Sequence, residues 1–237
     1  MIGCMQVYNS ELTLEMALES IIDYVDTMVI VDGPWANFPH RTLQSTDDTY
    51  KIARRVCGDK LIWVPCPNRA WPGNTVGKCN EFMKHVPMNE WFVHVASDET
   101  IAGPVKDVFD NVEAQEKYIQ ANIPLTQVRR MFDVAPAKVT KKVYDSAPVK
   151  TVRTGKSSNR VFKKLPGMVW GPHRDTLYMK DTPMIKLYKS MELNKLVLVN
   201  HKYKQTWDQY MCGVIYRRTL IGEDTAKYWK LLKEEGF

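Results

Sequence analysis

Cysteine is scarce and unpatterned in this chain. There are five in 237 residues, at 4, 57, 66, 79 and 212, and no pair has CxxC spacing. An odd, scattered set speaks against a disulfide framework or a zinc cage and suits a reducing compartment. Long apolar runs are missing too: none reaches the ~18 residues that a spanning helix needs, so no transmembrane segment is expected. The opening Met1-Ile2-Gly3-Cys4-Met5 has no basic stretch and no cleavage pattern, so the expectation is a mature chain that starts there without a signal peptide. Internal repeats and low-complexity tracts are absent, which sets aside solenoids and arrays.

What is present is an ordinary globular balance, 44% hydrophobic and 25% charged, in a chain long enough to bury a core without staples. The net charge of +6 is unevenly spread. Residues 1–119 carry 10 Lys and Arg against 17 Asp and Glu, whereas residues 120–237 carry 23 against 10. The halves are therefore −7 and +13, which assigns them different jobs. A basic half faces phosphates, an anionic membrane surface or nucleic acid.

The acidic half reads as alternating strand and helix. Residues 2–8, 28–32, 60–65 and 91–96 are short apolar runs suited to buried parallel strands. Between them lie helical patterns: 10–25 with Ser10 as N-cap and Leu14, Leu18, Ile21, Ile22 and Val25 on one face; 47–57 with Tyr50, Ala53 and Val56 inward; and 75–86 with Val76, Cys79, Met83 and Val86 inward. Pro104 opens a fourth helix. This order predicts an α/β fold with a mostly parallel sheet. After residue 118 the texture changes to short β-like pieces at 118–123, 126–132, 160–163, 168–170 and 195–199, with helices near 206–218 and 223–234. The expectation is one domain of two halves, 1–119 for nucleotide and 120–237 for acceptor, the second a basic strand-and-loop region with C-terminal helices.

Ligands of an open parallel sheet bind beyond the carboxyl ends of its strands. The residues there are Asn9-Ser10-Glu11, Asp32-Gly33, the loop to Arg69 and Asn74, and Ser97-Asp98-Glu99. Asp32 suits a ribose or base edge, or is a turn residue of Asp-Gly. Adjacent carboxylates at Asp98-Glu99 repel unless a cation is bound; a divalent ion shared with a diphosphate resolves this, and a solvated cap of the next helix is the alternative. Lys78 pairs with phosphate or a carboxylate, or lies on a solvated helix face. His173 and His201 follow strand-like pieces and complete a metal site, bond phosphate or serve structure. Trp170, beside Gly171-Pro172-His173, is the candidate acceptor platform.

The ordered set MIGCMQVYNSE, VDTMVIVDG, STDDTYKIAR, VGKCNEFM, WFVHVASDE, RVFKKLPGMVWGPH and NHKYKQ resembles the motif series of family 2 type glycosyltransferases, which have the GT-A fold. The likeness covers most of residues 1–205. It implies a Rossmann-like nucleotide-binding sheet and transfer of a sugar, with inversion, from a nucleotide-sugar, by default a UDP-sugar, to a glycan, lipid or protein acceptor. It implies Mn²⁺ or Mg²⁺ at Asp98, helped by Glu99 through water, and Asp32 at the base; His201 is a further candidate metal ligand from its own position. Asn9, Glu11, Lys78 and Arg160 would join Asp32 and Asp98 around the donor, with Trp170 and His173 toward the acceptor. Two departures stand out: Ser97 replaces the first acid of the metal motif, and Arg174 replaces the catalytic glutamate, so Asp175 becomes the candidate base.

Other classes are weighed against this reading. A nucleotidyltransferase carries a glycine-rich loop after its first strand, and Tyr8-Asn9-Ser10-Glu11 lacks one. A nucleic-acid or anionic-surface module fits the basic half, although no specific nucleic-acid signature is visible. The departures also suit an inactive relative. The expected location is cytoplasmic, with peripheral membrane contact through the amphipathic tail.

Overall fold

The computed structural model describes residues 1–36, 38–72, 76–131, 141–171, 177–202, 205–220 and 222–234. The first half follows the expected rhythm. Strands β1 (Ile2–Val7), β2 (Thr27–Asp32), β3 (Leu61–Val64) and β4 (Trp91–His94) alternate with helices α1 (Glu11–Glu19), α2 (Thr49–Cys57) and α3 (Val76–His85). They pair in parallel in the order β3-β2-β1-β4.

Strand alternation gives each face its own core. Met5 and Val7 of β1 pack with Leu14 and Leu18 of α1 and Ala53 of α2. Ile2 and Cys4 pack on the opposite face with Phe82 and Met83 of α3. Burying each such side chain contributes roughly 1.5–3 kcal/mol. Tyr50 departs from the expected inward set: it is 51% exposed and meets Trp63 edge-on at 5.0 Å, because α2 buries Thr49, Ala53 and Cys57 instead.

After Asp98 the chain enters an unexpected short strand, β5 (Glu99–Ala102), before helix α4 (Val105–Glu113). The pieces expected at 118–123 and 126–132 are one strand, β6 (Gln120–Arg130), which bulges around Pro124. The piece at 160–163 is the end of the fifteen-residue strand β7 (Val149–Lys163). A helix, α5 (Lys141–Ser146), precedes β7. Residues 150–160 of β7 are largely polar, so no hydrophobic alternation marks them as a strand.

The chain then forms β8 (Met168–Trp170), β9 (Leu177–Met179), β10 (Thr182–Pro183), α6 (Met184–Leu187), β11 (Met191–Glu192), β12 (Val197–Asn200), α7 (Trp207–Leu220) and α8 (Ala226–Glu234). β7 pairs antiparallel with both β4 and β6, and β12 joins β6 in parallel and β5 antiparallel. The main sheet therefore runs β3-β2-β1-β4-β7-β6-β12-β5, with β11 beside β6. It is the expected α/β architecture, a mainly parallel sheet flanked by helices. The two sequence halves share it, since β4 hydrogen-bonds to β7. Helices α5, α7 and α8 form a separate apolar cluster around Trp207, Met211 and Leu232. Among the described residues, no helix is long and apolar enough to cross a membrane.

Candidate functional site

A cleft of about 920 Å³ opens beyond the carboxyl ends of β1 and β4. Its floor is built where β1 ends. The Val7 carbonyl accepts from the Gly33 amide at 3.1 Å and from the Lys78 ammonium at 2.7 Å. Lys78 comes from the first turn of α3, is 1% exposed, and lies 5.1 Å from the Trp35 ring centroid. Burial pushes it down to about 7, against the opposing charges of Asp32, Cys66 and Cys79.

Asn9 turns the chain out of β1 with φ 47°, a left-handed conformation that asparagine tolerates. Its backbone N–H donates to Ser45 Oγ at 2.8 Å, and its side-chain oxygen accepts from the Thr46 amide at 2.9 Å. Glu11 accepts from the Asp48 amide at 3.2 Å and stays outside the cleft lining. Asp32 is 2% exposed and also outside the lining. Its carboxylate accepts from the amides of Gly33 and Ser45 and from Ser45 Oγ at 2.7, 2.9 and 2.6 Å. Asp32 thus holds the 33–45 loop, and its carbonyl receives Trp71 Nε1 at 2.6 Å. Gly33 is required there: φ is 109°, and a Cβ would lie 2.5 Å from the Cys66 Cβ.

The second half of the site is a charge network. Asp98 Oδ2 accepts from Lys202 Nζ at 2.6 Å, and Oδ1 from Asn200 Nδ2 at 3.2 Å. Burial alone would raise the Asp98 carboxyl, but the charge and hydrogen bond of Lys202 outweigh it and hold it below its ordinary value. Glu99, 3% exposed, accepts from Arg160 at 2.8 Å through Oε1 and from the Ala96 amide at 3.0 Å through Oε2. Arg160 also reaches His94 Nδ1 at 3.3 Å. A guanidinium can only donate, so Nδ1 accepts and Nε2 carries the proton. Nε2 lies 3.2 Å from the Gln6 amide nitrogen, which is also 2.9 Å from Cys79 Sγ, so turning that amide over sets its oxygen to accept from the imidazole and the thiol.

Two expectations are corrected by strand alternation. His201 does not reach the cleft: Asn200 and Lys202 line it, whereas the His201 ring lies on Thr100 Oγ1 at 2.9 Å and its amide donates to the Asp98 carbonyl at 2.7 Å. Trp170 offers no platform. β8 buries Met168 and Trp170 and exposes Val169, so the Trp170 ring is 3% exposed, edge-on to His94 and Phe82. Asp175, His173, Arg174 and Asn74 lie outside the described residues.

The expected divalent ion does not fit this donor set. Both carboxylates are already matched to cations of the chain, and Ser97 hydroxyl is engaged with Ser10 Oγ at 3.1 Å. Among the described residues, no group of three His, Cys, Asp or Glu side chains is placed to hold a metal. The sequence reading missed Asn200 and Lys202, although two adjacent acids at a strand end already called for cations from elsewhere in the chain. It also missed Tyr216, which stacks on Trp35 at 5.5 Å and 25°, with Phe38 meeting both rings to complete an aromatic wall.

No protein-family model matches the sequence, and no curated protein matches it. Solved structures are similar in part. TarS of S. aureus, residues 1–349 in complex with UDP-GlcNAc, shares 19% identity over 65% of this chain and 45% of its own, with TM-score 0.40. The mannosyltransferase PcManGT of Pyrobaculum calidifontis, in complex with GDP-Man and Mn²⁺, shares 17% over 99% of this chain and 68% of its own, with TM-score 0.47. A 4-diphosphocytidyl-2C-methyl-D-erythritol synthase shares 11% over 92% and 97%, with TM-score 0.43. The chain thus spans less than half the length of the TarS chain.

Proposed function

We propose that this protein is a glycosyltransferase that moves a sugar from a nucleotide-sugar to an acceptor hydroxyl. One observation carries the reading. Three cations, Lys78, Arg160 and Lys202, gather with Asp98 and Glu99 in one cleft beyond the ends of parallel strands, beside an aromatic wall. The cations suit a diphosphate, and the Trp35–Tyr216 wall suits a base or sugar ring. A cleft of about 920 Å³ lies within the usual range for small-ligand sites, about 300–1,000 Å³. The ordered sequence motifs point to the same chemistry. UDP is the default nucleotide, and Asn9 shapes the floor beneath it.

The reaction follows from these groups. The acceptor oxygen forms a bond to the anomeric carbon as the bond to the diphosphate oxygen breaks. The electron pair leaves on that phosphate oxygen, where N–H donors meet the new charge. The acceptor proton passes to a carboxylate, for which Asp175 is the candidate, and attack opposite the leaving group inverts the anomeric centre. The acceptor is a glycan, lipid or protein hydroxyl, and the basic half is the surface that would receive it. Mn²⁺ or Mg²⁺ would reach Asp98 only by displacing Lys202.

Calorimetric titration of UDP and GDP tests the reading. Saturable binding of one nucleotide, weakened about tenfold or more in Lys78→Met, is expected from the loss of one charge-assisted contact. Absence of binding by both nucleotides contradicts it.

A further inference from the structure

We infer that the cleft neutralises its diphosphate with the chain's own cations, Lys202 foremost, and binds nucleotide without a divalent metal. The inference rests on the nucleotide-sugar reading and adds to it where the charge comes from. A hard divalent ion takes several oxygen ligands, usually including carboxylates that have no other counterion. Here the four carboxylate oxygens of Asp98 and Glu99 accept from Lys202, Asn200, Arg160 and the Ala96 amide. The position of a further acid is held by Ser97.

The charges point the same way. Arg160 and Lys202 pair with Glu99 and Asp98, and Lys78 feels the charge of Asp32, so the carboxylates here are balanced by the chain's own cations before any ligand enters. A divalent ion would meet no uncompensated carboxylate here and would stand against two cations, whereas a diphosphate would meet cations that have donors to share. Donors remain to receive one. An ammonium has three N–H groups, and Lys202 directs one to Asp98. Its side chain is 37% exposed and open to the cleft, while its partner Asp98 is only 14% exposed. Arg160 is 7% exposed and lines the cleft, with its terminal nitrogens held by Glu99 and His94.

In this arrangement the sugar–oxygen bond breaks with its electron pair on the phosphate oxygen, and Lys202 and Arg160 donate to that oxygen. The nucleoside diphosphate departs with the pair, and no proton, metal or redox partner is consumed in that step. Asp98 acts as a positioning residue: it holds the Lys202 ammonium at the cleft.

The test is calorimetry of UDP and GDP in chelator and in Mn²⁺, on wild type, Lys202→Met and Lys202→Arg. Wild-type affinity in chelator should stay within about twofold of that in Mn²⁺, Lys202→Met should weaken it about tenfold or more, and Lys202→Arg should keep most of it. The melting temperature of each variant reports its folding, and the wild-type comparison needs no variant. Nucleotide binding that requires Mn²⁺ overturns the inference and leaves the glycosyltransferase reading standing. Equal affinity for wild type and a folded Lys202→Met also overturns it. Failure of both nucleotides to bind in every condition overturns the two readings together.

Discussion

Lys78 shows how one residue couples stability to ligand binding. Its ordinary value of 10.5 falls to about 7 in the folded protein, chiefly through burial. Between those values the unfolded chain holds a proton that the folded chain has released, so the stability this group permits rises with pH across that window. Below about pH 7 the full penalty is present, about 5 kcal/mol at most. Lys78→Met removes the buried charge, and the Val7 carbonyl keeps its bond from the Gly33 amide. The variant should therefore melt higher than wild type at pH 6, with the gap narrowing by pH 10, while nucleotide binding falls. Thermal melts across that range check it, and a variant less stable at pH 6 contradicts it. At this scale the sequence was legible for residue type more than for direction. Asp98, Arg160 and Lys78, all candidates from the sequence, line the cleft. Asp32, Glu11, His201 and Trp170 have chemistry that suits a site, but their orientation depends on loop bonding and strand phase. His201 lies one position away from two cleft residues, and that single step turns it to the other face.

Among the elements, β5 and β7 are tied by a buried ion pair, Arg160 to Glu99 at 2.8 Å, with side-chain exposures of 8% and 4%. Removing one partner leaves an uncompensated charge in the core. Arg160→Met should cost about 3–5 kcal/mol, and the double variant Glu99→Gln, Arg160→Met should recover most of that. Denaturant unfolding of both variants measures the difference, and equal stability of the two would contradict the account. Elements with a strong apolar period were legible: α2, α3 and the four parallel strands come close to their expected bounds, whereas α1 ends at Glu19, short of the expected Val25. β7 was not, because its middle is polar and is held by pairing to β6 along most of its length. α5 was missed because six residues are too short to display a helical period. β5 was missed because its pairing partner, β12, lies almost a hundred residues later, with Glu99 opposite Asn200.

For the whole molecule, the uneven charge of the sequence has a structural counterpart. The acidic half supplies Asp98 and Glu99, the basic half supplies Arg160 and Lys202, and the shared sheet brings them into one cleft. The charge asymmetry was plain in the sequence, but the pairing was not, since it depends on β7 and β12 entering the sheet. That assembly makes a specific claim about where a nucleotide sits. A crystal structure with the nucleotide that binds, UDP or GDP, tests it most directly. The account predicts a diphosphate within hydrogen-bonding distance of Lys202 and Arg160, above Lys78, with the base or ribose against the Trp35–Tyr216 wall. A nucleotide bound elsewhere on the molecule, with this cleft empty, would contradict it.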